Sequence, residues 1–300
     1  MRKSIVLLIT LALIVAISSL IAIGLNIVDN TAKETQKKHS LIQTSIFVDN
    51  ITEILAKKSG DINSTDGLNL LISLPIELNT KEIKASIKFN SAAKGLNPNN
   101  FLTKENNKTT INPDYVLLFD RILQSKNVQN KELFIATIED TLDNDLEERI
   151  PGSEIALYNK RFAQGMIENY KKFAMIVDHY VRLSEDPNIY KIAWKKILGF
   201  YSKTIDFNYI EPELLSYILP YVDGETIVNL TTKKKQIFYD WKELPLASEY
   251  KKILKKYHIS FYAPIIEGNF TIEQAGEQSF ARFIYDIKEK KVKDIAYKIP

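Results

Sequence analysis

The sequence predicts an α+β fold: a long N-terminal helix packed on a small antiparallel sheet, with a large, mostly helical segment inserted between strands of that sheet. Three observations predict it. An uncharged stretch from Ser4 to Val28 runs on into an amphipathic pattern. Residues 83–90 alternate strictly between apolar and polar, and apart from one short extended piece, strand-like sequence returns only after Tyr257. Between those two regions, helical periods follow one another.

The first element begins behind the basic head Met1-Arg2-Lys3. Ile5–Val28 is 24 residues, about 36 Å long as a helix at ~1.5 Å per residue. A bilayer's hydrocarbon core is roughly 30 Å thick. A removable secretory signal has an apolar core of only about 7–15 residues and a small-residue cleavage site. This run is longer and ends in no such site, so residues 5–28 read as a retained transmembrane segment. The positive head then stays in the cytoplasm and Asp29–Pro300 lies outside. Apolar residues recur at Leu41, Phe47/Val48, Ile51 and Ile54/Leu55, close to a 3.6-residue period. One long helix, amphipathic to about residue 58 where Ser59-Gly60 ends it, is the simplest reading, and two helices broken near Asp29-Asn30 is the other.

The next element is a strand. Ile83, Ala85, Ile87 and Phe89 alternate with Lys84, Ser86, Lys88 and Asn90, which gives one buried and one wet face. Residues 97–113, rich in Asn, Thr and Pro, read as a loop. Asn112-Pro113 opens a helix over Asp114–Gln124, with the proline at its first position. Asn130 is placed to cap a helix running to about Thr141. Further helical patterns cover 169–184, 188–200, 212–219, 224–235 and 246–256, with one extended piece at Thr204–Asn208. After Tyr257, His258–Ile266 reads as a strand, Glu267-Gly268-Asn269 as its turn and Phe270–Glu273 as the return. Ser279–Ile287 and Val292–Ile299 complete the meander. The division that follows is a leader at 1–4, a transmembrane segment at 5–28, a discontinuous α+β unit at 59–110 and 257–300, and a helical insertion at 111–256.

Composition narrows the chemistry. Hydrophobic residues make up 45% of the 300-residue chain, enough for an ordinary core. The net charge is +3, and its lysine runs at 233–235, 251–252 and 255–256 read as solvated helix faces, so nothing calls for a nucleic-acid partner. The chain has no cysteine, which excludes disulfides, thiol nucleophiles and cysteine-ligated zinc. His39, His179 and His258 are too far apart in sequence for ligand spacing. Nucleophile-elbow, Walker, zinc-protease and dinucleotide motifs are absent from the sequence. A non-enzymatic protein without a small-molecule substrate is the expectation. Asp143, Asp145, Glu148 and Glu154 form the one carboxylate cluster that resembles a site. It reads either as a hydrated acidic loop beside Arg149 or as part of an oxygen set of the kind calcium takes.

Several local features, in the same order along the chain, are similar to those of one family. Arg2-Lys3-Ser4 followed by Ile5-Val6-Leu7-Leu8 looks like a class III leader and the start of a pilin helix. Lys94-Gly95-Leu96-Asn97-Pro98-Asn99 follows the first predicted strand. Ile138–Glu154, IEDTLDNDLEERIPGSE, carries a D-x-D pair and a Gly-small-Glu ending. Thr204-Ile205-Asp206-Phe207-Asn208 precedes Glu211-Pro212-Glu213-Leu214-Leu215. Taken together, the chain resembles minor pseudopilin K of type II secretion systems, also called general secretion pathway protein K (GspK).

The resemblance implies a pilin-like fold with a SAM-like helical insertion and a single-pass protein of the bacterial inner membrane with its bulk in the periplasm. It implies a role in protein export, priming or capping the pseudopilus tip in a hetero-oligomer with other minor pseudopilins. Prepilin peptidase is the implied processing partner, cutting between Ser4 and Ile5, although serine stands here where glycine is usual. Most pilins carry Glu at the fifth mature position. This chain has Ile9 there, and family K typically lacks that Glu too, which suits a subunit with none above it. Calcium is the one implied cofactor, at Asp143, Asp145 and Glu154. Leu41, Val48, Ile51 and Leu55 are the expected helix contact with partners, because part of that stripe is left over once the small sheet is covered. The competing expectations are a membrane-anchored extracytoplasmic binding or sensor module, and a minor pilin of a related pilus machine.

Overall fold

The computed structural model describes residues 34–80, 83–105, 108–143, 145–231, 236–274 and 277–298. The predicted transmembrane segment and the processing site Ser4/Ile5 lie outside these residues. Among the described residues no helix is long and apolar enough to cross a membrane.

The first described helix, α1, covers 34–57. Its inward stripe is Thr44, Val48, Ile51 and Leu55, spaced four, three and four residues apart, so that all four fall on one side of the helix. Val48 is 1% and Leu55 5% exposed. Leu41, predicted for the same stripe, is 41% exposed, and Thr44 takes the inward position instead. The reason is a polar contact: Thr44 Oγ1 and Ser279 Oγ meet at 2.8 Å in a buried hydrogen bond. A short helix, α2 (Thr65–Ser73), follows, its N-terminus capped by the Ser64 hydroxyl, which accepts from Gly67 N–H.

Strands β1 (Ile76–Asn79) and β2 (Ile83–Ser91) start the sheet. Its remaining strands come from the far end of the chain: β7 (Ile265–Gln274), β8 (Glu277–Asp286) and β9 (Lys291–Lys298). The order is β1-β2-β7-β8-β9, every pair antiparallel. β2 pairs with β7 from Ile83↔Gln274 to Ser91↔Ile266, which puts the strand at 83–91 and those after 257 in one sheet. The predicted turn at Glu267-Gly268-Asn269 is instead the interior of β7. Gly268 pairs with Phe89 on one side and Phe283 on the other, and a Cβ there would lie 2.4 Å from the Phe283 ring. Glycine breaks no strand here; it makes room for an aromatic ring. α1 lies over the apolar face, where Val48 and Leu55 join Ile87, Phe89, Phe270, Ile272 and Phe283 in one core.

Residues 92–264 lie between β2 and β7 and form a second core. The loop expected at 97–113 contains a 3₁₀ turn at Pro98–Phe101 and a small hairpin of β3 (Leu102–Glu105) and β4 (Lys108–Ile111). Helices α3 (Pro113–Gln124) and α4 (Lys131–Leu142) follow. Asn112 caps α3 as predicted. Asn130 does not cap α4 through its side chain: it sits at φ 43° in the left-handed region and makes no capping bond. Next come α5 (Ile155–Tyr158) and α6 (Tyr170–Ser184). The helix predicted at 188–200 breaks into a 3₁₀ turn at Pro187–Lys191 and α7 (Trp194–Ile197). The break seats Trp194 among Phe119, Phe134 and Phe173. The remaining elements are β5 (Ile205–Asp206), a 3₁₀ turn at Phe207–Tyr209, α8 (Pro212–Ile218), α9 (Gly224–Thr231), α10 (Ser248–Lys256) and β6 (Ile259–Ser260). Of the strand predicted at His258–Ile266, only β6 and the start of β7 are strand. The second core draws on Leu96 and Phe101 upstream and Tyr257, Ile259 and Phe261 downstream, beyond the predicted limits of 111–256.

Candidate functional site

An exposed apolar surface lies beside α1. Among the described residues β1 is an edge strand paired only with β2, and all four of its residues are exposed. Its Ile76 and Leu78 face the helix across a groove of about 310 Å³, whose walls include Phe47, Ile51, Ile54 and Leu71. Ile54 is 60% and Leu78 48% exposed. Leu41, Ile42 and Ile46 on α1, Leu70 on α2 and Leu74 just past its end are exposed as well. Exposed apolar groups gathered in this way mark a contact surface more often than singly scattered ones do. Of the predicted partner contacts, Leu41 is exposed and Ile51 half-buried on the groove wall, whereas Val48 and Leu55 belong to the protein's own core. Ile54, Ile76 and Leu78 were missed. The Ser64-Thr65-Asp66 cap and the apolar alternation of Ile76 and Leu78 after Pro75 were the signals that could have found α2 and β1.

The acidic cluster sits where α4 ends. Arg149 reaches back over it: Nη1 donates to Asp140 Oδ1 and Asp143 Oδ2, and Nε lies 3.4 Å from Glu139 Oε2. Asp140 is fully buried, and its Oδ2 also accepts from Ser153 Oγ and Arg149 N–H. Burial, only partly offset by the arginine, holds the Glu139 and Asp143 carboxyls above the usual range. Burial opposes the charge on Arg149 as well, but hydrogen bonds to Asp143 and Asp140 outweigh it and raise its pKa. Glu154 caps α5 through Oε1, which accepts from Ala156 N–H, and its Oε2 accepts from Gln164 at 2.7 Å. Gln164 donates to the Asp145 carbonyl as well, so Asp145 and Glu154 do share this corner.

The predicted calcium ligands are thus brought into one neighbourhood, yet their oxygens are otherwise engaged. Asp143 Oδ2 is held by Arg149, Asp145 Oδ1 accepts from Glu147 N–H, and both Glu154 oxygens are used. Asp143 Oδ1 is buried without a partner, but among the described residues no group of three or more acidic or histidine side chains is disposed to hold a metal ion. As arranged, the residues do not fit calcium, and a guanidinium supplies the positive charge.

The asparagine motifs are stitching. Asn97 accepts from Asn99 N–H and donates to the Phe200 and Ser202 carbonyls. The Asn99 side chain pairs with both backbone groups of Ile167, at 2.7 and 2.9 Å. Gly95 packs so closely on Leu198 that a Cβ would lie 2.4 Å from its backbone carbon. Asn208 holds both backbone groups of Phe238 and the Phe261 carbonyl. Asp206, wholly buried, accepts from Asn208 and Ala263 N–H and donates its own N–H to Ala93. His179 is a buried structural histidine against the Gly152 carbonyl at 2.7 Å, and burial lowers its pKa.

No family model and no curated protein matches the sequence. Among solved structures, a chain of "The Crystal Structure of the GspK-GspI-GspJ complex from enterotoxigenic Escherichia coli Type 2 Secretion System" superposes with a TM-score of 0.58 at 14% identity. The match covers 88% of this chain and 99% of that one, so the likeness is one of fold over nearly the full length of both chains. The protein has a GspK-like fold.

Proposed function

We propose that this protein is a non-enzymatic minor pseudopilin that sits at the tip of a periplasmic pseudopilus and supports export by a type II secretion machine. Residues 5–28 anchor it in the inner membrane, with the leader cut after Ser4 by prepilin peptidase. The observation that carries the reading is the fold match over nearly the full length of both chains. The neighbour is crystallised with two other minor pseudopilins, and by analogy this chain takes partners of the same kind. Two features support the tip position. The block at 92–264 is too bulky to repeat at every step of a thin fibre. The apolar groove between α1 and β1 gives a side contact for a partner helix.

The test is copurification from membranes with the neighbouring pseudopilins. Ile54→Asp combined with Leu78→Asp places charge in the groove at exposed positions and should abolish copurification while leaving membrane insertion intact. Lys195→Ala with Lys196→Ala, on the helical block, should change nothing. Wild-type yield from the groove variant, or labelling of the protein along the whole fibre at major-subunit abundance, overturns the reading.

A further inference from the structure

Glu139, Asp140 and Asp143 stand in the last turn of α4 and at its C-cap, and that turn contains no basic residue. The partial negative charge of a helix C-terminus makes this a poor place for carboxylates, and burial makes it worse. Something positive has to stand there. Arg149 lies past the end of α4, on the segment leading to α5, and it pairs with all three carboxylates. Its backbone N–H and the Ser153 hydroxyl bind Asp140 too, so the same contacts that neutralise the acids fold the segment back onto the helix. Beyond it, Glu148 Oε1 accepts from Gly152 N–H and the Gly152 carbonyl meets His179 on α6.

We infer that Arg149 is the built-in structural cation of this corner, filling with a guanidinium the role that a bound calcium ion would otherwise serve. The wild-type fold then needs no divalent ion, and removing the guanidinium creates both a loss of stability and a demand for a cation. The two-pronged geometry matters. Nη1 holds Asp140 and Asp143 while Nε stands against Glu139, so two nitrogens serve three carboxylates, which the single nitrogen of a lysine ammonium cannot reproduce.

Thermal unfolding of the detergent-solubilised full chain, in millimolar calcium and in chelator, tests this alongside calorimetric calcium titration. The wild type should melt at the same temperature in both and show no calcium binding. Arg149→Gln should melt roughly 5–10 °C lower in chelator, as expected when one partner of a buried ion pair is removed, and should recover part of that in calcium. Arg149→Lys should fall between. Stoichiometric calcium binding by the wild type, a chelator-induced drop in its melting temperature, or an Arg149→Gln variant that melts with the wild type overturns the inference. If Arg149→Gln does not fold, the wild-type titration decides alone.

Discussion

Phe89 and Phe283 sit on β2 and β8, two strands apart, yet their rings meet edge to face at 6.4 Å and 82° across the bare backbone of Gly268. Strand β7 is the spacer between them, and its glycine lets the two rings close the centre of the sheet core. Offset and edge-to-face pairs of this kind add about 0.5–1.5 kcal/mol beyond the area they bury.

Gly268→Ala therefore opposes two effects. In an ordinary strand the alanine gains roughly 0.5–1 kcal/mol by restricting the unfolded chain. Here its methyl enters the Phe283 ring, and overpacking of a filled core costs typically 1–3 kcal/mol. The expected outcome is net destabilisation, read as a lower denaturation midpoint with an unchanged slope. A neutral or stabilised variant would show that Phe283 swings aside freely.

Asp206 gives a pH prediction. Burial pushes its carboxyl up to about 6 from the ordinary 3.8, against the backbone N–H groups it accepts from. The folded state then binds more protons than the unfolded state between those values. Stability from this group is present at low pH and is lost as pH rises through about 6. Between pH 4 and pH 7 the difference is on the order of 3 kcal/mol. Asp206→Asn should remove that slope, so the stability gap between variant and wild type should shift in the variant's favour as pH rises. Parallel curves for the two proteins across this range would refute the assignment.

Asn99 gives a third. Its amide matches the Ile167 backbone donor for acceptor. Asn99→Asp keeps the shape but turns a donor into a carboxylate oxygen facing a carbonyl. We expect a loss of about 2–3 kcal/mol in equilibrium unfolding, with Asn99→Ser losing less. Equal losses in the two variants would mean that only packing matters there.

What the sequence made legible, and what it hid, follows from locality. The strand at 83–90 could be read because its alternation is set by neighbours two apart, and Asn112-Pro113 because capping is decided within a turn. Asn130 looked identical to Asn112 in that respect, but its backbone is turned to φ 43°, while the Asp186 carboxylate accepts from the neighbouring Gln129 N–H. Nothing within four residues announces that. Gly268 failed for the same reason: it is a turn residue by habit and a strand residue because of a ring on another strand. Within the candidate sites, the acidic cluster was recognised and Arg149 was noted beside it, but the sequence could not say that the arginine would lie among the carboxylates. The groove was missed because β1 is short and exposed on every residue, and burial is what makes a pattern visible.

The register Ser91↔Ile266 has a kinetic side. Two strands that must lie side by side are separated by the whole of residues 92–265, and closing so long a loop in a disordered chain costs about 4–5 kcal/mol in entropy. The block at 92–264 lowers that cost once it has formed, since Ala92 N–H donates to the Ile265 carbonyl and Asp206 N–H to the Ala93 carbonyl, bringing entry and exit together. Sheet closure therefore waits on the block. Refolding chains should first show protection from hydrogen exchange in α3, α4 and α6, and β2 and β7 should zip last. During that interval the apolar face of α1 is bare.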